Sequence, residues 1–149
     1  MGDVDVLAGL NQSVQELHVA HRPEYFKPGD AIAVAGWFRS KLEDGDVRGW
    51  IAEWDGSAAG YALTITYSRP KNAFGFARRW CEIDRIAVAP EFRRRGIARA
   101  LVERVVEDAP LRGIMDVELT SWCFNTEAHE AFRALGFTEK VVRFGRTVS

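Results

Sequence analysis

Residues 83–98 read Ile-Asp-Arg-Ile-Ala-Val-Ala-Pro-Glu-Phe-Arg-Arg-Arg-Gly-Ile-Ala. An apolar strand there runs through a proline turn into a helix opened by Gly96, directly after three consecutive arginines. The start of a helix carries unpaired backbone N–H groups and a partial positive charge, so an anion placed there gains several hydrogen bonds and a favourable dipole interaction together. Gly96 suits such a junction because a side chain would hold phosphates away from the backbone. The run therefore predicts a strand, a phosphate-binding turn and a helix that crosses over to a parallel strand.

The chain has 149 residues, 47% of them hydrophobic and 28% charged, which fits one globular domain over 1–149. Its formal net charge of -1 provides no general attraction for nucleic acid or an anionic membrane, so the arginine run is a local feature whose anion is small. The opening Met1-Gly2-Asp3-Val4-Asp5 lacks a basic segment followed by an apolar one, and no stretch reaches the roughly 18 apolar residues of a membrane span. A cytoplasmic protein is expected. Cys81 and Cys123 are too few and too far apart for a metal site or a disulfide framework, so no metal is predicted.

Apolar residues at Val6, Leu7, Leu10, Val14 and Leu17 predict a helix over 4–20, and Asp30 is placed to cap a second over 30–42. Between them, Pro23 and Pro28 mark an irregular loop. Strands are predicted over 50–54 and 58–67, joined by the hairpin signal Asp55-Gly56, and again over 80–89. A helix over 94–108 buries Ile97, Leu101 and Val105 and is stopped by Pro110. A strand over 114–122, a helix over 125–135 and a terminal strand or hairpin over 137–148 complete the order. This predicts an α/β fold with a mixed sheet and helices on both faces.

Arg93-Arg94-Arg95-Gly96-Ile97-Ala98, after the strand ending Ile86-Ala87-Val88-Ala89-Pro90, resembles the Arg/Gln-x-x-Gly-x-Gly/Ala signature of the GCN5-related N-acetyltransferase superfamily. Asn125, Ala128, Phe132, Gly136 and Phe137, with Trp122 ahead of them, are similar to its second block, an Asn-x-x-Ala helix ending in Gly-Phe. Each block alone has a plainer reading: a solvated helix start for the first, and an N-cap at Asn125 with a C-cap at Gly136 for the second. The P-loop Gly-Lys-Ser/Thr is absent, and no Gly-x-Gly-x-x-Gly follows a strand.

The resemblance implies a mostly antiparallel sheet whose central parallel pair splays apart, and acetyl-coenzyme A as co-substrate. It implies a diphosphate held by Arg93, Arg94, Arg95, Gly96, Ile97, Ala98 and Arg99, and a pantetheine arm paired with the backbone of Ile86, Ala87 and Val88. Asn125 and Phe132 would line the slot. Glu82 and Asp84 are the candidate bases, since family members carry the base four or two residues before the Ile86 position. Period two would set both on the face of Ile86 and Val88. The plainer reading makes them strand-end carboxylates paired with an arginine such as Arg79 or Arg85. Many family members have a tyrosine where Phe132 stands, and phenylalanine cannot protonate a leaving thiolate. Another donor would be Tyr25, Tyr61 or Tyr67; a covalent route would need Ser121 or Cys123.

For the acceptor, Tyr25, Phe26 and Trp122 are the candidate contacts, with His21, Trp37 and Phe38 extending an aromatic wall able to hold a cation. For Phe26, Trp37 and Phe38 the plainer reading, as core or loop-anchoring residues, is the stronger. The expected acceptor is the primary amine of a small molecule. The alternatives are a protein N-terminal acetyltransferase of the ribosomal-protein alanine type, whose glutamate and tyrosine would be Thr120 and Phe132 here, and a non-catalytic acyl-coenzyme A binding module. The family also implies a possible homodimer and normally begins with a strand that 4–7 is too short to supply.

Overall fold

A computed structural model describes residues 2–149. Met1, part of the opening stretch read for a leader, lies outside the described residues. Two helices come first, α1 (Asp3–His21) and α2 (Ala31–Leu42). The Asp30 carboxylate accepts from the N–H groups of Ile32 and Ala33 and so fixes where α2 begins. Strands β1 (Val47–Trp54), β2 (Ser57–Arg69) and β3 (Arg78–Val88) form an antiparallel meander. Asp55 and Gly56 both have positive φ, the geometry that matches the strand twist in a two-residue hairpin. A 3-10 turn (Pro90–Phe92) leads to α3 (Ile97–Leu111), then β4 (Val117–Leu119) and α4 (Thr126–Ala134). Among the described residues no strand precedes α1.

The sheet order is β1-β2-β3-β4, with β3 and β4 parallel across the α3 crossover. One core lies between the sheet and α3, built on Ala62, Cys81, Ile83, Ile97, Leu101, Val105 and Ile114. Another lies between the opposite face and the pair α1/α2, built on Leu7, Leu10, Phe38, Tyr61, Leu63 and Ala87. Each large buried side chain contributes about 1.5–3 kcal/mol, so the sheet is held from both sides. Gly60 permits the closest approach: a Cβ there would stand 2.8 Å from the Ala87 carbonyl and 3.1 Å from the Ile97 side chain. A buried polar pair joins the layers where Tyr61 Oη donates to Asn11 Oδ1 at 2.6 Å.

Several elements differ from the sequence reading: β1 begins at Val47 and β3 at Arg78, two to three residues early, and α3 begins at Ile97 rather than 94 because Arg94 and Gly96 hold positive φ. Helix α3 runs through Pro110 to Leu111, because a proline in the last turn gives up a single bond, to the carbonyl of half-exposed Val106. The strand expected over 114–122 keeps only Val117–Leu119 in the ladder, since β3 and β4 diverge beyond the Ile83–Leu119 pair. Residues 138–149 hold no strand or hairpin, and Val141, Val142, Phe144 and Val148 are exposed. No helix among the described residues is long and apolar enough to cross a membrane.

Candidate functional site

The register of β3 organises the site. Arg85 faces Leu63 of β2 and Ile83 faces Thr64, which leaves Asp84 as the extra residue of a β-bulge. Before the bulge Cys81 and Ile83 lie in the α3 core; after it Ile86 and Val88 pack there, while Ala87 and Ala89 face α1/α2. The period-two expectation is therefore overturned: Glu82 shares the face of Arg85 and Ala87, opposite Ile86 and Val88, and Asp84 is exposed on the bulge.

The same extra residue re-aims the backbone. Cys81 N–H donates toward β4, to the Asp116 carbonyl at 2.9 Å, whereas Ala89 N–H donates toward β2, to Ala59 at 2.8 Å. Alternation back from Ala89 turns Ala87 toward β2 and leaves Ile86 and Val88 presenting N–H and C=O to the side where β4 has ended. The bulge thus puts an unpaired strand edge along the splay, a template for an extended, amide-bearing ligand.

At the end of this edge the chain enters α3 with Arg94 at φ 63° and Gly96 at φ 75°. No side chain caps the helix, and its first backbone acceptor within the turn is Gly96 O, which receives Ala100 N–H at 3.0 Å. The preceding N–H groups are therefore free for an anion. A Cβ on Gly96 would meet nothing within 4 Å, so the space before them is open. Arg95 lies over Trp54, with its guanidinium carbon 5.2 Å from the ring centroid, and Arg99 pairs with Glu103 at 2.9 Å. Arg93 and Arg94 are exposed and make no ion pair among the described residues. Ile97 is buried beneath the helix start and Ala98 half-buried beside it. These features fit a coenzyme A diphosphate and its pantetheine arm.

Asn125 begins α4, but its side chain makes no capping hydrogen bond, so the plain N-cap reading fails for the side chain. Leu135 is the C-cap, and Gly136 after it, at φ 91°, takes the left-handed position: Phe137 N–H reaches back to the Phe132 carbonyl at 3.0 Å in a Schellman closure. His129 Nε2 lies 2.9 Å from the Trp122 carbonyl and 3.2 Å from Ser121 Oγ. Bonding the carbonyl requires a proton on Nε2, so that nitrogen cannot take one from Ser121.

Of the candidate bases, Asp84 Oδ2 lies 3.7 Å from Arg85 Nε, while Glu82 is half-buried and has no ion pair among the described residues. Arg79 instead donates to the Arg112 carbonyl. Tyr67, stacked on Trp80, sits on the Glu82 face; partial burial, then the charges of Glu82 and Asp84, raise its phenol pKa. Tyr61 is enclosed in the core with its hydroxyl committed to Asn11, which removes it as a donor to the slot.

The acceptor-side aromatics gather where the loop after α1 meets the segment after β4. Tyr25 stacks with Trp122 at 5.8 Å, Phe26 meets Trp122 edge-on at 5.4 Å, and His21 stacks on Phe124 at 4.4 Å. Arg22, bound to Glu24, covers both Tyr25 and Trp122, with its guanidinium carbon 4.6 and 5.6 Å from their centroids. The sequence reading missed Arg22 and Phe124, whose contacts with Trp122 and with His18 and His21 join residues about a hundred apart and leave no local signal. Phe38 belongs to the core, and Trp37 lies against Arg85. A cleft of about 480 Å³ between α1 and the end of β3, lined by Asp5, Ser13, Glu16, Ala89 and Glu91, includes neither Glu82 nor Asp84.

A mixed sheet whose parallel pair diverges beside an uncapped, glycine-opened helix places the chain in the α/β class. The chain belongs to the acetyltransferase (GNAT) family, whose sequence profile matches residues 11–137. An uncharacterized N-acetyltransferase, MJ1207, from Methanocaldococcus jannaschii is 45% identical over 65 residues, 44% of this chain and 29% of that protein. A [ribosomal protein bS18]-alanine N-acetyltransferase from Salmonella typhimurium is 36% identical over 58 residues, 39% of each. The matches therefore span well under half the length of these relatives. The fold is shared with the BH1408 protein from Bacillus halodurans, at TM-score 0.89 and 18% identity over 95% of this chain and 91% of that one. It is also shared with aminoglycoside N-acetyltransferase AAC(6')-Iy in complex with CoA, at TM-score 0.75 and 23% identity over 97% and 88%.

Proposed function

We propose that this chain, as a single catalytic domain over 1–149, is an acetyl-coenzyme A-dependent N-acetyltransferase that modifies the primary amine of a small molecule by direct attack in a ternary complex. The observation that carries this reading is the Asp84 bulge, which delivers the unpaired edge of Ile86 and Val88 to a slot ending at the uncapped start of α3. Acetyl-coenzyme A supplies the activated acyl group. Ile86 and Val88 would pair with its pantetheine amides, the N–H groups around Arg94, Gly96 and Arg99 with its diphosphate, and Asn125 with the arm near the mouth of the slot. The Val88 N–H, aimed into the slot, would polarise the thioester carbonyl.

An alkyl amine of pKa ~10 is about one part in a thousand neutral at pH 7, a cost of roughly 4 kcal/mol. Glu82 is our base, because it is half-buried, unpaired and on the α1/α2 face from which an acceptor approaches; Asp84 is exposed and shares its charge with Arg85. Tyr25, Phe26 and Trp122 would border the acceptor. Phe132 leaves the thiolate to depart unprotonated, which its pKa near ~8.5 permits at moderate cost.

Cys123 is an exposed free thiol, which supports a reducing, cytoplasmic setting. Pairing of two copies through the last residues is part of the same reading, supported by the unpaired outer edge of β4 and the exposed Val141, Val142, Phe144 and Val148. The match to the ribosomal-protein alanine enzyme favours a second reading, N-terminal acetylation of a protein. Calorimetry with acetyl-coenzyme A, followed by thiol release over an amine panel and mass shift on N-terminal peptides, separates the readings. Coenzyme binding with amine turnover is expected. Turnover on peptides alone favours the second reading, binding without any turnover favours a non-catalytic module, and absent binding overturns all three.

A further inference from the structure

The bulge at Asp84 also decides where Arg85 goes. Without the extra residue Arg85 would point toward α3; with it, Arg85 lies on the α1/α2 face beside Glu82, opposite Leu63. Its guanidinium carbon is 4.6 Å from the centroid of the Trp37 ring, which braces one flat side of the head. Its Nε is buried and has no hydrogen-bond acceptor among the described residues. The nearest carboxylate, Asp84 Oδ2, stands 3.7 Å away, outside hydrogen-bond reach. The side chain is still 38% exposed, so the rest of the head looks outward.

The two partly buried arginines nearest the β3–β4 seam are better satisfied. Arg78 is tied to Glu118, and Arg112 to Asp108 and Thr66. An arginine head stacked on one side, with its Nε unpaired and only the loose Asp84 ion pair and the Tyr61 phenol beside it, can take a planar, two-oxygen anion, because its N–H groups form a rigid fork matching a carboxylate.

We infer that Arg85 is a specificity-determining residue that recognises a carboxylate on the acceptor, so that the acceptor is an amine bearing an acid group, of the amino-acid type. The inference rests on the small-molecule reading above and narrows it. Glu82 and Arg85 place opposite charges on one face of β3, which complements a molecule carrying an ammonium and a carboxylate. A polyamine would bring a second cation against Arg85 and be disfavoured.

The test uses the full chain, acetyl-coenzyme A and amine pairs differing only in the carboxylate: lysine with cadaverine, and ornithine with putrescine. Thiol release should show the wild type preferring the acid-bearing member by about tenfold or more in kcat/KM. Arg85→Gln should lower kcat/KM for that member about tenfold more than for its partner, chiefly through KM, while Arg85→Lys keeps part of the preference. Trp37→Leu should erode the preference in the same direction and carries the test if Arg85→Gln does not fold, with coenzyme affinity reporting folding in each variant. Equal turnover of both members by the wild type, or an equal loss on both in the folded variants, overturns the inference and leaves N-acetyl transfer standing. A protein that binds acetyl-coenzyme A and acetylates no member of the panel overturns the small-molecule reading, and this inference with it.

Discussion

The rings of Phe132 and Phe137 meet edge-on with centroids 6.1 Å apart, across the left-handed turn at Gly136. The contact is the apolar half of the Schellman closure that ends α4. Phe132 is thus anchored by the fold, and in the proposed reading it stands where a tyrosine would protonate the leaving thiolate. Phe132→Tyr is expected to raise kcat by about tenfold or more if thiolate departure limits turnover, and to change the melting temperature little. Phe132→Ala should cost about 1–3 kcal/mol by urea titration through loss of this packing.

Gly96 holds φ 75° at the open start of α3. Valine there is strained in its backbone and pushes a branched side chain into the space assigned to the diphosphate. Calorimetry should report at least about a hundredfold weaker acetyl-coenzyme A binding for Gly96→Val, since both the free N–H groups and their access are affected. An unchanged affinity would mean the anion lies elsewhere.

Glu82 and Asp84 differ in surroundings and should differ in effect. Glu82→Gln is expected to lower kcat by about a hundredfold or more and to spare coenzyme affinity. Asp84→Asn should lower it far less. The reverse order would assign the proton transfer to the bulge residue.

Burial raises the Tyr61 phenol well above its ordinary value of 10.0, with nearby Arg85 opposing the rise and Asp84 adding to it. The folded state therefore holds this proton more tightly than the unfolded chain. The contribution is complete below pH 10 and fades as the unfolded tyrosine ionises, so stability falls as pH rises beyond about 10, by at most about 1.4 kcal/mol per pH unit from this group. Tyr61→Phe should flatten that decline in urea titrations. It should also cost about 1–3 kcal/mol at neutral pH by leaving the Asn11 amide without its partner, a loss that Asn11→Leu in the same chain should partly restore.

Much of this protein was legible along the chain because the signals are local. Asp30 caps α2 from within one turn, Asp55-Gly56 demands its hairpin, and the 3.6-residue spacing of Ile97, Leu101 and Val105 selects the face α3 buries. Gly96 and Gly136 declare left-handed positions that other residues resist. By themselves these residues determined the strand, turn and helix order and the anion-ready end of α3.

The tertiary structure alone decided which way β3 faces. A bulge depends on how one strand aligns with its neighbour, and Leu63 and Thr64 of β2, some twenty residues earlier, set that alignment. One extra residue at Asp84 set Arg85 on the α1/α2 face beside Glu82 and turned Ile86 and Val88 to the slot. The Asn11–Tyr61 bond and the seating of Phe124 against α1 arose in the same way, from partners brought together only once the layers packed.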